Sequence, residues 1–341
     1  MKISTIVSVC IIGSSCLFAS GSLMKDAKIA GLKPIPQSEL ELLKLIDNPK
    51  NPITKRKVEL GKKLYFDPRL SKSGLISCNT CHNLGLGGVD GVGAAIGNKW
   101  TANPHHLNSP TVYNAVFFKA QFWDGRSPDL PHQAQGPTLA APEMAGDPKI
   151  IAKKINSIPA YVEEFKKAYG KDVKIDFKNI TSTIAIFEKI LVTPSRYDDY
   201  LNGDDTALTK AEKEGFRVFL DKGCASCHNG IALGGEMAPF EVANKYKFRN
   251  LGDFLKINKS KMVKVPTLRN ITETAPYFHN GAIWSLKDAV KEMGSVELGI
   301  KISDKDANKI VTFLKALKGR KPVITYPQLP ESTDATPRPI D

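Results

Sequence analysis

SCNTCHN at residues 77–83 and GCASCHN at residues 223–229 decide how this chain is read. Each places two cysteines three apart with a histidine directly after the second: Cys78, Cys81 and His82 in one, Cys224, Cys227 and His228 in the other. At this composition such a pattern arises by chance roughly 0.002 times per chain, so two copies are a specific signal. CxxCH is the attachment motif of c-type haem: both sulfurs bond the porphyrin vinyl carbons, and the histidine reaches the iron from one side. The competing reading of paired CxxC is zinc, but zinc knuckles usually lie about 15–20 residues apart and these pairs do not. The motifs predict two covalently bound haem c groups.

The other two of the six cysteines, Cys10 and Cys16, fall in MKISTIVSVCIIGSSCLFASGS. Lys2, an apolar run and then Ala19, Ser20 and Gly21 read as a signal peptide over residues 1–21, removed by cleavage. The expected location is periplasmic, with no integral membrane association after cleavage. An exported chain whose remaining cysteines all sit in CxxCH is not using them as a disulfide framework.

A length of 341 residues suggests about two domains. The formal charge is +13, but the lysines are scattered and no compact basic run carries interleaved aromatics. Nucleic acid is therefore not expected as a partner, whereas an acidic protein surface is.

The pattern is helical throughout. ELELLKLID follows Ser38, and helices are expected over 54–66, in PKIIAKKI and PAYVEEFKKAYG, in NITSTIAIFEKILVTP, and over 209–221 and 285–293. In SDKDANKIVTFLKALKG, Ser303 is the expected N-cap, Ile310, Phe313, Leu314 and Leu317 share one face, and Gly319 is the expected stop. Strand signals are weak. Residues 84–147 are rich in Gly, Pro and Asn, and an ordered loop region of that length is usually functional. GKKLYFD (61–67) before the first motif echoes GFRVFLD (215–221) before the second, a faint internal repeat. The expectation is an all-α chain of two related haem domains with long ordered loops at their interface. The expected divisions are 22–195, 196–321 and a Pro-rich, extended or loose tail over 322–341.

Function then depends on the second axial ligands. An iron closed by two strong ligands carries electrons, and one with an open face can activate an oxidant. Candidates at the second haem are His279 and Met293. Around the first, the loop supplies His105, His106, Trp123, His132, Gln133, Glu143 and Met144.

At these residues the chain resembles the bacterial dihaem cytochrome c peroxidases, a group that extends to the dihaem protein-modifying oxidase of amine metabolism. The stretches that carry the resemblance are CNTCHNLGLGGVDG, NSPTVYNA, QFWDGRSPDLPHQAQGP, APEMA, GCASCHNG and VPTLRNITETAPYFHNGAIWSLKDAVKEMG, spread over about residues 50–320. The resemblance implies two cytochrome-c-like domains whose haems face each other: a peroxidatic, low-potential haem on His82 and an electron-transferring, high-potential haem on His228. It implies Met293 as the second haem's distal ligand, Trp123 between the haems, and Gln133 and Glu143 in the peroxidatic pocket, with Glu143 as acid–base group. It also implies a calcium site from Asn108 and the backbone carbonyls of Thr274 and Pro276, and a homodimer. The substrate it implies is hydrogen peroxide and the donor a monohaem cytochrome c or similar small redox protein. In many members a histidine sixteen residues after the first CxxCH histidine blocks the peroxidatic iron; here that position is Asn98. The pocket is thus expected to lack that latch unless His105 or His106 replaces it. The rival readings are a non-enzymatic dihaem electron carrier or redox sensor, and a dihaem oxidase acting on another protein.

Overall fold

The structure, a computed structural model, describes residues 23–339. The expected signal peptide, with Cys10 and Cys16, lies outside the described residues. Five helices carry the architecture: α1 (Lys55–Phe66), α2 (Phe177–Lys189), α3 (Lys210–Asp221), α4 (Leu286–Leu298) and α5 (Asp304–Lys315). Their starts are set by side chains that accept otherwise unpaired backbone N–H groups. Thr54 caps α1, Asp176 caps α2, Ser285 caps α4 and Ser303 caps α5, while Thr209 and Glu212 form a reciprocal box at α3.

The helices cross in two equivalent pairs, α1 on α2 and α3 on α5. A side chain at Gly61 would collide with the Thr183 carbonyl and the Cβ of Phe187; one at Gly215 would collide with the Lys309 carbonyl and the Cβ of Phe313. Each glycine lets two backbones meet under a phenylalanine. The Phe187 ring then stands edge-on to Tyr65 at 5.3 Å, and Phe313 stacks on Phe216 at 4.5 Å. The faint repeat in the sequence is this crossing, made twice.

Each crossing organises a core. The first gathers Leu60, Leu64, Tyr65, Tyr161, Phe165 and Ile184. The second gathers Tyr197, Tyr200, Phe216, Phe219, Ile310 and Phe313. Residues 23–35, grouped with the first domain in the sequence reading, lie on the second core: Leu23, Ala27 and Leu32 are buried in it, and Ile35 N donates to Asp198 Oδ1 at 2.7 Å. Asp198 and Arg269 form a fully buried pair. Arg269 grips both carboxylate oxygens at 2.9 and 2.7 Å, and its Nε donates to the Ile231 carbonyl at 2.6 Å. Ser195 N and Oγ donate to the same carboxylate at 2.7 and 2.9 Å.

Two expectations about helix ends change. α4 continues to Leu298 and stops at Gly299, which takes a left-handed φ of 65°. α5 ends at Lys315 rather than at Gly319. The cause is Asn270, whose N–H takes the Leu317 carbonyl at 3.0 Å while its Oδ1 accepts from Gly319 N at 2.8 Å, drawing the chain off the helix axis. The weak strand signal corresponds to one antiparallel ribbon, β1 (Met237–Pro239) against β2 (Met262–Lys264), with Met237 opposite Lys264. Among the described residues no helix is long and apolar enough to cross a membrane.

The tail is extended, as expected, but it is not loose. Tyr326 packs edge-on against Phe66 at 4.9 Å, Arg69 Nη1 donates to Pro330 O at 2.8 Å and to Ser332 Oγ at 3.0 Å, and Thr333 Oγ1 donates to Ser157 O at 2.9 Å. Residues 326–333 are thus strapped onto the first half.

Replacing Arg269 by Met leaves the buried Asp198 carboxylate uncompensated. Urea unfolding should then register a loss of about 3–5 kcal/mol; a change within about 0.5 kcal/mol, the range of an ordinary surface substitution, would show that the pair does not hold this half together.

Candidate active site: two cavities with one shared wall

Each CxxCH opens into a cavity. One is lined by Cys78, Cys81 and His82, the other by Cys224, Cys227 and His228. Measured out to their open mouths they hold ≈ 1220 and ≈ 1280 Å³, near-equal spaces that suit two copies of one large group.

The donor sets fit haem c in both. His82 Nδ1 lies 2.9 Å from the Pro110 carbonyl and His228 Nδ1 lies 3.3 Å from the Leu233 carbonyl. A proton on Nδ1 satisfies each carbonyl and leaves Nε2 as the lone-pair nitrogen for iron. Burial keeps both rings neutral, lowering His82 and taking His228 down to about 4. Tyr65 Oη donates to the His82 carbonyl at 2.6 Å and fixes that loop from α1. Burial also pushes the Cys81 thiol up to about 12 and the Cys224 thiol to about 11. All four cysteines are free of disulfides, and among the described residues no three His, Cys, Asp or Glu side chains cluster to hold a metal ion.

The loop region 84–147 has no helix longer than the five residues of Gln135–Leu139, yet it builds most of the first cavity. Gln133, Glu143 and Met144 all line it. Gln133 is the last residue of the short helix Leu130–Gln133, whose Asp129 cap accepts from His132 N. Glu143 is set by its own backbone, with its N–H on Ala140 O at 3.0 Å and its carbonyl taking the Asn98 N–H at 2.7 Å. Burial raises the Glu143 carboxyl above the usual range, and Arg126 partly opposes that. Arg126 lies 3.6 Å over the Phe122 ring and donates to Asp124 at 2.8 Å.

The other candidates separate. Asn98 does not enter the cavity; its Nδ2 donates to Ala141 O at 3.3 Å. His105 pairs with Asp253 at 2.8 Å, and neither it, His106 nor His132 lines the cavity. Met293, on α4, lines the second cavity. His279 does not; its ring is buried among Trp123, Phe240, Tyr246 and Phe254, with no partner for Nε2 among the described residues and its basicity lowered to about 4 by burial. Trp123 and Asn108 line both cavities, and Trp123 Nε1 donates to Asn108 O at 2.9 Å. Asn108 Nδ2 in turn donates to the carbonyls of Pro276 at 2.7 Å and Phe278 at 3.2 Å, while Thr274 and Pro276 line the second cavity.

Sequence reasoning missed three charged residues. Lys264 lines both cavities, is 3% exposed and has its Nζ 4.7 Å over the Phe118 ring; burial lowers it to about 8. Arg126 and Glu188 line the first. Glu188 was readable as the lone acid inside the apolar run IAIFEKIL.

Comparison with known proteins agrees with this geometry. Residues 55–206 match the family described as di-haem cytochrome c peroxidase, and residues 212–318 match cytochrome c. The cytochrome c551 peroxidase of Pseudomonas aeruginosa is 45% identical over 95% of this chain and 94% of its own length. That of Nitrosomonas europaea is 46% identical over 82% of this chain and 85% of its own. In fold the chain is similar to the crystal structure of a MauG-like protein associated with microbial copper homeostasis, at a TM-score of 0.70 and 24% identity over 80% of this chain and 92% of that one.

Because the cavities are separate, removing one attachment pair should spare the other. The double substitution Cys224→Ala, Cys227→Ala should cost the mass of one covalent haem and leave the second on Cys78 and Cys81. Loss of both haems, or of neither, in the intact-protein mass spectrum would contradict the assignment.

Proposed function

This chain belongs to the di-haem cytochrome c peroxidase family, and on that premise we propose that it reduces hydrogen peroxide to water, H2O2 + 2e⁻ + 2H⁺ → 2H2O, with electrons from a small monohaem c-type cytochrome. The observation that carries this is the unlike furnishing of two like cavities: Gln133 and Glu143 converge in one, and Met293 stands in the other. Haem iron, when bound, supplies the redox centres and the point at which the O–O bond is cleaved.

The chain's own residues do the rest. His82 and His228 would hold the two irons through Nε2, and Met293 would offer its sulfur to the second, a pairing that would favour a high potential. Glu143, as carboxylate, takes the proton from one peroxide oxygen and returns it to the departing oxygen. Gln133 Nε2 donates a hydrogen bond that holds the peroxide. Trp123, pinned through Nε1, is a fixed aromatic wall between the two redox centres. Asn108 and the carbonyls of Thr274 and Pro276 are oxygen donors of the kind calcium takes, with the Asn108 amide turned to offer Oδ1. The setting is periplasmic, the basic charge of +13 suits an acidic face on the donor, and the working form is a homodimer.

The division into a peroxidatic half, an electron-transferring half and a tail fits this scheme. A non-enzymatic carrier needs both irons closed, and among the described residues the first cavity has no histidine besides His82. Met144 lines it from within the first core, 4% exposed. Turnover with a small donor cytochrome alone separates this reading from an oxidase that needs a protein substrate.

Two measurements test the scheme. Glu143→Gln should lower kcat by about 10²–10⁴. In the parent enzyme the rate should fall as pH drops through the Glu143 pKa, which lies above the ordinary carboxylate range, because protonation removes the base. A full-rate variant with an unchanged acid limb would exclude Glu143. The second measurement starts turnover from fully oxidised enzyme. Immediate activity is expected, since none of Asn98, His105 and His106 lines the first cavity. A parent enzyme that itself works only after pre-reduction would refute the lost latch.

A further inference from the structure

The two helix crossings correspond residue by residue, and the position just after each crossing phenylalanine differs in kind. After Phe313 comes Leu314; after Phe187 comes Glu188. Each lines the haem cavity of its own half. Leu314, at 2% exposure, is what an apolar cavity calls for. Glu188 is 6% exposed, and its Oε2 is buried with no hydrogen-bond partner among the described residues. A carboxylate in such a place is costly unless it is paired, hydrogen-bonded or protonated.

The neighbours do not pair it. From α1 and the first haem motif, Tyr65 and Cys78 interact with it electrostatically, and both are neutral. The helix Leu130–Gln133 packs on α2 and brings Asp129 and His132; Asp129 caps that helix, and the His132 ring shares a hydrogen bond with Ser127 at 2.7 Å. Lys154, from the helix Pro148–Asn156, is held by the carbonyls of Arg69 and Ser71 at 2.8 and 3.0 Å. Around the cavity the other charged groups are Arg126, tied to Asp124, and Glu143 and Lys264.

We propose that Glu188 is the redox-linked proton site of the first haem, taking up a proton when that haem gains an electron and releasing it when the electron leaves. The inference rests on the reading that a haem occupies the cavity of Cys78 and His82. On reduction, one electron from the donor enters the haem and one proton from bulk water bonds the Glu188 carboxylate. On oxidation both depart, so the charge of the cavity is conserved and no other bond changes. The cause is local: an added electron beside an ionised carboxyl in a low-dielectric cavity is repelled, and a proton cancels the repulsion. Burial alone brings Glu188 to about 7, where a nearby electron can decide its state at neutral pH. At the matching position Leu314 gives the second haem no such partner; the acid that lines that cavity, Glu297, lies on α4 and accepts from Glu241 N at 2.9 Å. As pH rises through the acid-to-neutral range, ionisation of Glu188 lowers the first potential and does not act on the second, so the ionised carboxyl helps hold the peroxidatic haem below the other.

The test is spectroelectrochemical titration of the two-haem protein between about pH 5.5 and 8.5, after mass spectrometry has counted the haems. The first haem's midpoint should fall with rising pH by up to about 59 mV per unit, the one-electron equivalent of a tenfold change in proton activity. Glu188→Gln should flatten that slope across the acid-to-neutral range and hold the potential there at its low-pH value, while the response of the second haem, whose cavity Lys264 and Glu297 also line, is the same in both proteins. Glu188→Leu, which copies the side chain the second half already uses, should give the same flat line if the amide variant folds poorly. A parent slope that persists in both variants, or a parent without a slope, would overturn the proposal while two haems are present. A chain carrying one haem would overturn the two-haem reading instead, and this inference with it.

Discussion

The fold depends on two contacts that only glycine permits. Gly61 and Gly215 let α1 meet α2 and α3 meet α5 backbone to backbone, and the phenylalanine seated over each crossing fixes where the paired helix lies along its partner. From that register follows the side of each helix pair on which its CxxCH loop closes, and so the wall the loop closes against. Because the same contact is made twice, the chain builds two cavities of nearly equal size from sequences that share little beyond a glycine, an aromatic pattern and the haem motif.

What distinguishes the halves is placed outside the crossings. The first half spends a long irregular stretch, residues 84–147, on lining its cavity with Gln133, Glu143 and Arg126. Such a stretch can be ordered without helices because its polar backbone is paired locally and because Tyr113 and Val112 anchor it in the first core. The second half closes its cavity with a helix, α4, from which Met293 projects. Between them lies a seam of Asn108, Trp123 and Lys264 that belongs to both cavities, so a side chain there touches the surroundings of both redox centres at once.

Much of this was legible in the sequence. The haem attachment residues, the helices and their caps, the repeat, and the presence of Trp123, Gln133, Glu143 and Met293 at the cavities could be read from motif, period and resemblance. Other features depended on partners remote in the chain. Asn270 ends α5 early by bonding across to Leu317 and Gly319, and no local pattern announces that. Residues 23–35 sit on the second core because Asp198 offers a buried carboxylate to Ile35 N. His279 has the right chemistry for an iron ligand, yet a cage of aromatic rings holds it away from both cavities. Lys264 looks like an ordinary charged residue in the sequence, and only three-dimensional neighbours reveal that it is buried; Glu188 is marked there only by the apolar run around it.

The strap formed by the tail has a consequence for the order in which the molecule is made. Ile324 and Tyr326 pack on the first half, and Arg69 and Ser157 bind Pro330, Ser332 and Thr333. A polypeptide synthesised from its N-terminus thus lays down the first core early but cannot cover it until the last segment has emerged. Until then the flank of that core beside Phe66 stays exposed, and the half made first is the half finished last.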